Sequence, residues 1–260
     1  MTVKGSKMSL DHVLSFQLYT SRDGGPLEAQ LAALAALGVT NVEPYGDLYA
    51  DPAALRAQLD AAGLTALSGH FDLEMLEAEP DRAIAAARVL GMEIVIAPWL
   101  EPEDRPADAA GWQALGARLA AVHARLAAAG LAFGWHNHDF EFTALPDGSF
   151  PIEHLMAAGD FGLELDVAWV RRAGQDPLEW IGRYADRLLA FHVKDVAPEG
   201  ENLDEDGWAV VGQGIVDWPA AWARLGATGA RVAMLEHDEP KDWLDFAAKS
   251  SAAVRQLAAA

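Results

Sequence analysis

Glu43, His70, His136, His138, Asp166, His192, Lys194 and Glu236 all stand at the C-terminal ends of short apolar runs. Imidazole and carboxylate together provide mixed N/O ligation, which suits Mn²⁺, Co²⁺, Zn²⁺ or Fe²⁺ better than Ca²⁺, with Mg²⁺ also served by the carboxylates. If the runs are strands, residues two apart share a face, so His136 pairs with His138, Glu164 with Asp166, and His192 with Lys194. This sets His136, Asp166, His192 and Glu236 as four ligands from four adjacent strands, two carboxylates and two neutral imidazoles balancing one divalent ion. Glu164, one pleat deeper, either orients a ligand or pairs with Lys194, or is a core carboxylate paired for structure. A lone strand-end His is more often hydrogen-bonded structure than a ligand, and Asp166 or Glu236 alone would serve as helix caps. Repetition on four successive strands is what argues for a metal.

The runs that must position these groups are 12–19, 39–45, 64–70, 92–98, 131–138, 162–167, 188–194 and 231–236, rich in β-branched and aromatic residues. Stretches of helical period follow them at 27–37, 52–62, 81–90, 111–129, 152–158, 177–185, 218–225 and 243–257. Asp51-Pro52 opening one helix and Gly63 closing it are start and stop signals with a steric basis. Eight βα units in 260 residues give about 32 residues each, the size expected of a (β/α)₈ TIM barrel of class α/β. A doubly wound sheet is the alternative, but no Gly-x-Gly-x-x-Gly follows the first run. We expect a single domain over 1–260, with 1–10 as a flexible lead-in. Residues 197–216 read as one long irregular loop, which a barrel places at its catalytic face.

Composition narrows the partners. The chain is 52% hydrophobic and carries 19 Lys+Arg against 39 Asp+Glu, a formal charge of -20. That surface repels nucleic acid and anionic membranes, which need clustered Lys and Arg. With Cys 0, any metal must sit on His and carboxylates. The polar start of the chain lacks a signal peptide's apolar region, and no run approaches about 20 apolar residues, so we expect a cytoplasmic protein.

Trp135-His-Asn-His-Asp-Phe-Glu-Phe142, Glu164-Leu-Asp-Val-Ala-Trp169, Phe191-His-Val-Lys-Asp195 and Leu235-Glu-His237 resemble the sugar phosphate isomerase/epimerase family, within the xylose isomerase-like TIM-barrel superfamily. The resemblance covers strands five to eight closely and the first half only in layout. It implies one divalent metal at the ends of those strands, with Asp166, His192 and Glu236 matching the ligand positions on strands six, seven and eight. On strand five, many members, ketose 3-epimerases among them, carry Glu where this chain has His136. Those epimerases use two glutamates as an acid/base pair on opposite faces of the substrate. Here an imidazole replaces one of them, and Trp169 stands where relatives often present a His. The strand-five ligand is accordingly His136, or His138 if the alignment shifts by two, or Glu141 reaching in from the loop.

The leading expectation is a metal-dependent sugar isomerase or epimerase of carbohydrate metabolism. It abstracts a proton beside a carbonyl through a metal-stabilised ene-diolate. Glu236, or whichever of His136 and His138 is free of the metal, is the base, and Lys194 stabilises charge on oxygen. Glu43, His70, Trp99, Glu141 and Trp169 are expected around a small-molecule sugar, with Trp208 as a further apolar wall. The same carbanion expelling a β-substituent would make a lyase or dehydratase acting on a keto-sugar, keto-glycoside or inosose. A non-catalytic sugar-binding barrel is the third reading. Nucleases sharing this barrel need a basic face that the charge denies. Val211-Gly-Gln-Gly214 would suit a phosphate-binding turn or an ordinary connection. Trp218, Trp222 and Trp243 leave a homo-oligomer open.

Overall fold

The computed structural model describes residues 12–260, so the expected flexible lead-in at 1–10 lies outside the described residues. Seven strands come first: β1 (Val13–Gln17), β2 (Asn41–Glu43), β3 (Ser68–His70), β4 (Ile94–Ala97), β5 (Ala132–His136), β6 (Gly162–Asp166) and β7 (Leu188–Val193). The two-residue strands β8 (Asp195–Val196) and β9 (Trp208–Ala209) follow, and then β10 (Val232–Leu235). β1 to β7 and β10 form one parallel sheet in the order β2-β1-β10-β7-β6-β5-β4-β3. A bridge between Asn41 and Thr65 brings the two edges together, so the sheet is a nearly closed TIM barrel.

Helices α1 (Leu27–Ala36), α2 (Pro52–Ala62), α3 (Leu73–Ala78), α4 (Pro80–Leu90) and α5 (Ala109–Ala128) serve the first half. The second half uses α6 (Pro151–Ala157), α7 (Val167–Arg172), α8 (Pro177–Arg183), α9 (Trp218–Leu225) and α10 (Trp243–Ala259). The cap chemistry works as the sequence suggests: Asp51 accepts from the Ala54 amide at 3.0 Å, and Gly63 ends α2 at φ 70°.

Three features depart from the sequence expectation. β2 and β3 are three residues long, because Pro44 has no amide to extend a ladder, and the His70 amide instead donates to the Pro44 carbonyl at 2.9 Å. α3 and α7 are additional short helices, α7 nucleated where Asp166 caps it. The 197–216 stretch is more ordered than a loop: β8 and β9 pair antiparallel, with Val196 opposite Trp208. Trp218 and Trp222 are buried within the fold, Trp222 against His12 and Phe191, and so present no exposed face.

The barrel interior is layered. Ile94, Ile96, Ala190, Val232 and Met234 fill the lower part. Above them the same inward-facing rows change from apolar to polar, at His136 on β5, Glu164 and Asp166 on β6, and His192 on β7. Register brings these side by side: His136 faces Glu164, and Asp166 faces His192. Gly134 and Gly162 lie under this layer, and a Cβ on Gly134 would stand 3.0 Å from Ile96. Small residues there leave the apolar plug and the polar layer room to meet.

Candidate metal centre

Asp166 divides its two oxygens between structure and site. Oδ1 accepts from the Ala168 and Trp169 amides at 2.8 and 3.0 Å, capping α7. Among the described residues, Oδ2 is buried without a hydrogen-bond partner, 3.8 Å from His192 Nδ1 and 3.9 Å from Lys194 Nζ. Burial pushes the Asp166 carboxyl up to about 6. A bare carboxylate oxygen in that setting costs stability unless a cation or proton meets it.

His136, Asp166, His192 and Glu236 bring ligand atoms within 4.8 Å of one another, all buried. His192 Nδ1 lies 2.9 Å from Glu236 Oε2, and Lys194 Nζ 3.2 Å from the same oxygen. Burial opposes ionisation of Glu236, but Lys194 and His192 outweigh it and hold the carboxyl well below its usual range. A second set, His70, His136, Glu164 and His192, lies deeper and shares two residues with the first. There Glu164 Oε1 is already engaged by His70 Nε2 at 2.6 Å and His192 Nε2 at 2.9 Å. Burial disfavours the His70 cation, yet Glu43 and Glu164 push its pKa up to about 10. Without metal, therefore, protons on His70 and His192 offset the buried carboxylates. A divalent cation suits the same anionic excess.

A cavity of about 510 Å³ opens onto this layer at the C-terminal end of the barrel. Of the residues singled out from sequence, His70, Trp99, His136, His138, Trp169 and Glu236 line it. Asp166 and His192 lie directly behind, completely buried. His138 is held neutral by burial, helped by His136 and Lys194, and among the described residues its Nδ1 has no hydrogen-bond partner.

The remaining expected residues are placed elsewhere. Glu43 is buried below, accepting from Gln17 Nε2 at 2.9 Å and 2.8 Å from His70 Nε2. Glu141 does not reach into the cavity, because its carboxylate accepts from Trp135 Nε1 at 2.8 Å and the His138 amide at 2.9 Å. Lys194 lies behind Glu236, 2.6 Å from Asp238 Oδ1, with Nζ 4.1 Å from the Trp208 ring centroid and 5.0 Å from that of Trp169. Trp208 is fully buried and so is no cavity wall. Glu164 pairs with three histidines, not with Lys194. Sequence reasoning missed Gln17 and Asp238, whose signal was position: the last residue of β1 and the second after Glu236. It also missed Tyr19, Tyr45, Asp47 and Asp72 at the cavity mouth.

Residues 31–257 match the family model described as a xylose isomerase-like TIM barrel. The chain belongs to that family. This xylose isomerase-like barrel is 27% identical, over an alignment of 273 residues, to the rhizopine catabolism protein MocC of Rhizobium meliloti, covering 88% of this chain and 81% of MocC. Its fold superposes on a sugar phosphate isomerase/epimerase from Parabacteroides distasonis with TM-score 0.79 at 20% identity, covering 98% of this chain and 96% of the other. It also superposes on the zinc-bound IOLI protein with TM-score 0.72 at 16% identity, covering 94% and 97%. Among the described residues, no helix of this xylose isomerase-like barrel is long and apolar enough to cross a membrane.

Proposed function

We propose that the protein is a divalent-metal-dependent sugar isomerase or epimerase, with the cation held by His136, Asp166, His192 and Glu236. The observation that carries this is Asp166 Oδ2, a buried carboxylate oxygen without a partner beside two histidines and a second carboxylate. Among the described residues each set holds one unpartnered carboxylate oxygen, Asp166 Oδ2 or Glu164 Oε2, but the outer set is favoured because it offers two carboxylates to the cation, while the one carboxylate of the deeper set is already bridged by His70 and His192 through Oε1. A cation bound there supplies Lewis acidity, drawing electron density from a carbonyl and acidifying the adjacent C–H.

The chain's own residues provide the rest. Trp99 and Trp169 flank the cavity and present apolar faces to sugar C–H groups. His138, neutral and with a free ring nitrogen in this wall, takes the proton and returns it. Lys194 acts through Glu236 and Asp238, fixing their carboxylates from behind. An elimination on a keto-sugar is the second reading, favoured by His136 standing where a second glutamate would permit a symmetric two-carboxylate exchange.

The test is metal analysis of purified protein coupled to α-proton exchange of keto-sugars in D₂O. Chelation should abolish exchange and the cation restore it, and His192→Ala should lose the metal. Full exchange by chelated protein would defeat the proposal, while a product lighter than its substrate would select elimination.

A further inference from the structure

The backbone donors that a TIM barrel uses to hold phosphate, in the loops after its seventh and eighth strands, are occupied here by the chain's own acceptors. Asp195, the first residue of β8 and fully buried, collects four of them. Its Oδ2 accepts from the Gly212 and Gly214 amides at 2.8 and 3.2 Å, and its Oδ1 from Val196 and Val216 at 2.9 and 3.1 Å. A Cβ on Gly214 would collide with Asp195 Oδ1 and the Val196 carbonyl, so the glycine turn is wrapped onto that carboxylate. The turn has an anion-binding form, and its anion is internal.

The loop after β10 repeats the pattern. The His237 amide donates to Thr20 Oγ1 at 3.1 Å, Glu239 to His237 Nδ1 at 3.2 Å, and Lys241 to Glu205 Oε1 at 2.9 Å. Helix N-termini, the other common phosphate seats, are capped by aspartates: Asp166 on α7, Asp217 on α9 and Asp242 on α10.

Side chains at the mouth add to this. Asp47, Asp72 and Glu101 line the cavity, and among the described residues no Lys or Arg does. Burial and the neighbouring Asp47 push the Asp72 carboxyl up, as expected of carboxylates sharing a negative field. The nearby cations are committed: Arg22 pairs with Glu239 at 2.6 Å, and Arg105 stacks on Phe140 and Trp99 while donating to the Leu100 carbonyl.

We infer that the substrate of this site is a polyol ketone carrying no phosphate or carboxylate group, recognised through its hydroxyls and C–H faces. The inference rests on the sugar-site reading above and names the class of sugar.

Two measurements test it. Inorganic phosphate is titrated into metal-free protein, where only the chain's own donors can hold it. Matched ketoses and ketose phosphates are then titrated into metal-loaded protein by calorimetry. We expect no phosphate binding below 10 mM, roughly the reach of a weak surface anion contact, and at least about tenfold weaker binding of each phosphate ester than of its parent. Asp195→Ala, which frees the Gly212 and Gly214 amides, should gain phosphate binding. Submillimolar phosphate binding by the unaltered protein, or preference for any phosphorylated partner, overturns the inference. Failure of every sugar to exchange a proton defeats the reaction proposed above but leaves the phosphate result to decide this one.

Discussion

Lys194 Nζ lies 2.6 Å from Asp238 Oδ1, which makes this fully buried lysine the counter-ion, from behind, of the cavity-wall carboxylates Glu236 and Asp238 rather than a group in the wall itself. It touches Glu236 and approaches Asp166 as well, while the Trp169 and Trp208 rings enclose it. Lys194→Met keeps the stem and deletes the charge, leaving buried carboxylates uncompensated. The metal-free variant should lose about 3–5 kcal/mol of stability, with part of the loss recovered on adding Mn²⁺. Denaturant unfolding with and without the cation measures both, and equal losses in the two conditions would separate Lys194 from the metal centre.

Metal removal should itself destabilise the fold. A cation at a hundredfold excess over its Kd adds about 2.7 kcal/mol, which for a chain of this size is several degrees in Tm. Asp166→Asn retains an oxygen to cap α7 but removes the carboxylate charge from the site. Thermal scans should therefore show a chelator-sensitive Tm in the unaltered protein and none in the variant. A variant that still responds to chelator would transfer the cation to the deeper set.

These residues differ in how legible they were from sequence. His136, Asp166, His192 and Glu236 could be read as one set because strand alternation and barrel closure are regular, so four positions at strand ends meet in space. The roles of Glu141 and Lys194 could not, because a side chain's direction after a strand ends depends on local hydrogen bonds: Glu141 turns back to Trp135, and Lys194 is drawn to Asp238. α7 was hidden for a related reason. Its start signal is Asp166, and the same residue supports a ligand reading and a cap reading with different oxygens.

Glu141 makes a pH prediction. Burial pushes its carboxyl up to about 7 from 4.5, against the opposing hydrogen bonds from Trp135 and His138. The folded state then holds a proton that the unfolded state has released. This contribution to stability is complete below about pH 4.5 and is lost as pH rises towards 7. Glu141→Gln has no such dependence, so its stability relative to the unaltered protein should improve by about 2–3 kcal/mol between pH 4.5 and 7.5. Urea midpoints of both proteins across that range give the difference directly, and parallel curves would refute the shift.

His138 provides the sharpest test of the chemistry. Its ring lies in the cavity wall, 4.7 Å between centroids from Trp99 and 5.1 Å from Trp169, and neither nitrogen is needed by the four proposed ligands. Its amide, not its ring, holds Glu141, so a change of side chain leaves that anchor intact. His138→Gln preserves size and polarity but cannot take a proton near neutral pH. The exchange rate should fall about 10²–10⁴-fold, the range of a lost general base, with metal content and sugar affinity nearly unchanged. Loss of metal in this variant would make His138 a ligand, and undiminished exchange would move the proton to Glu236, which also lines the cavity.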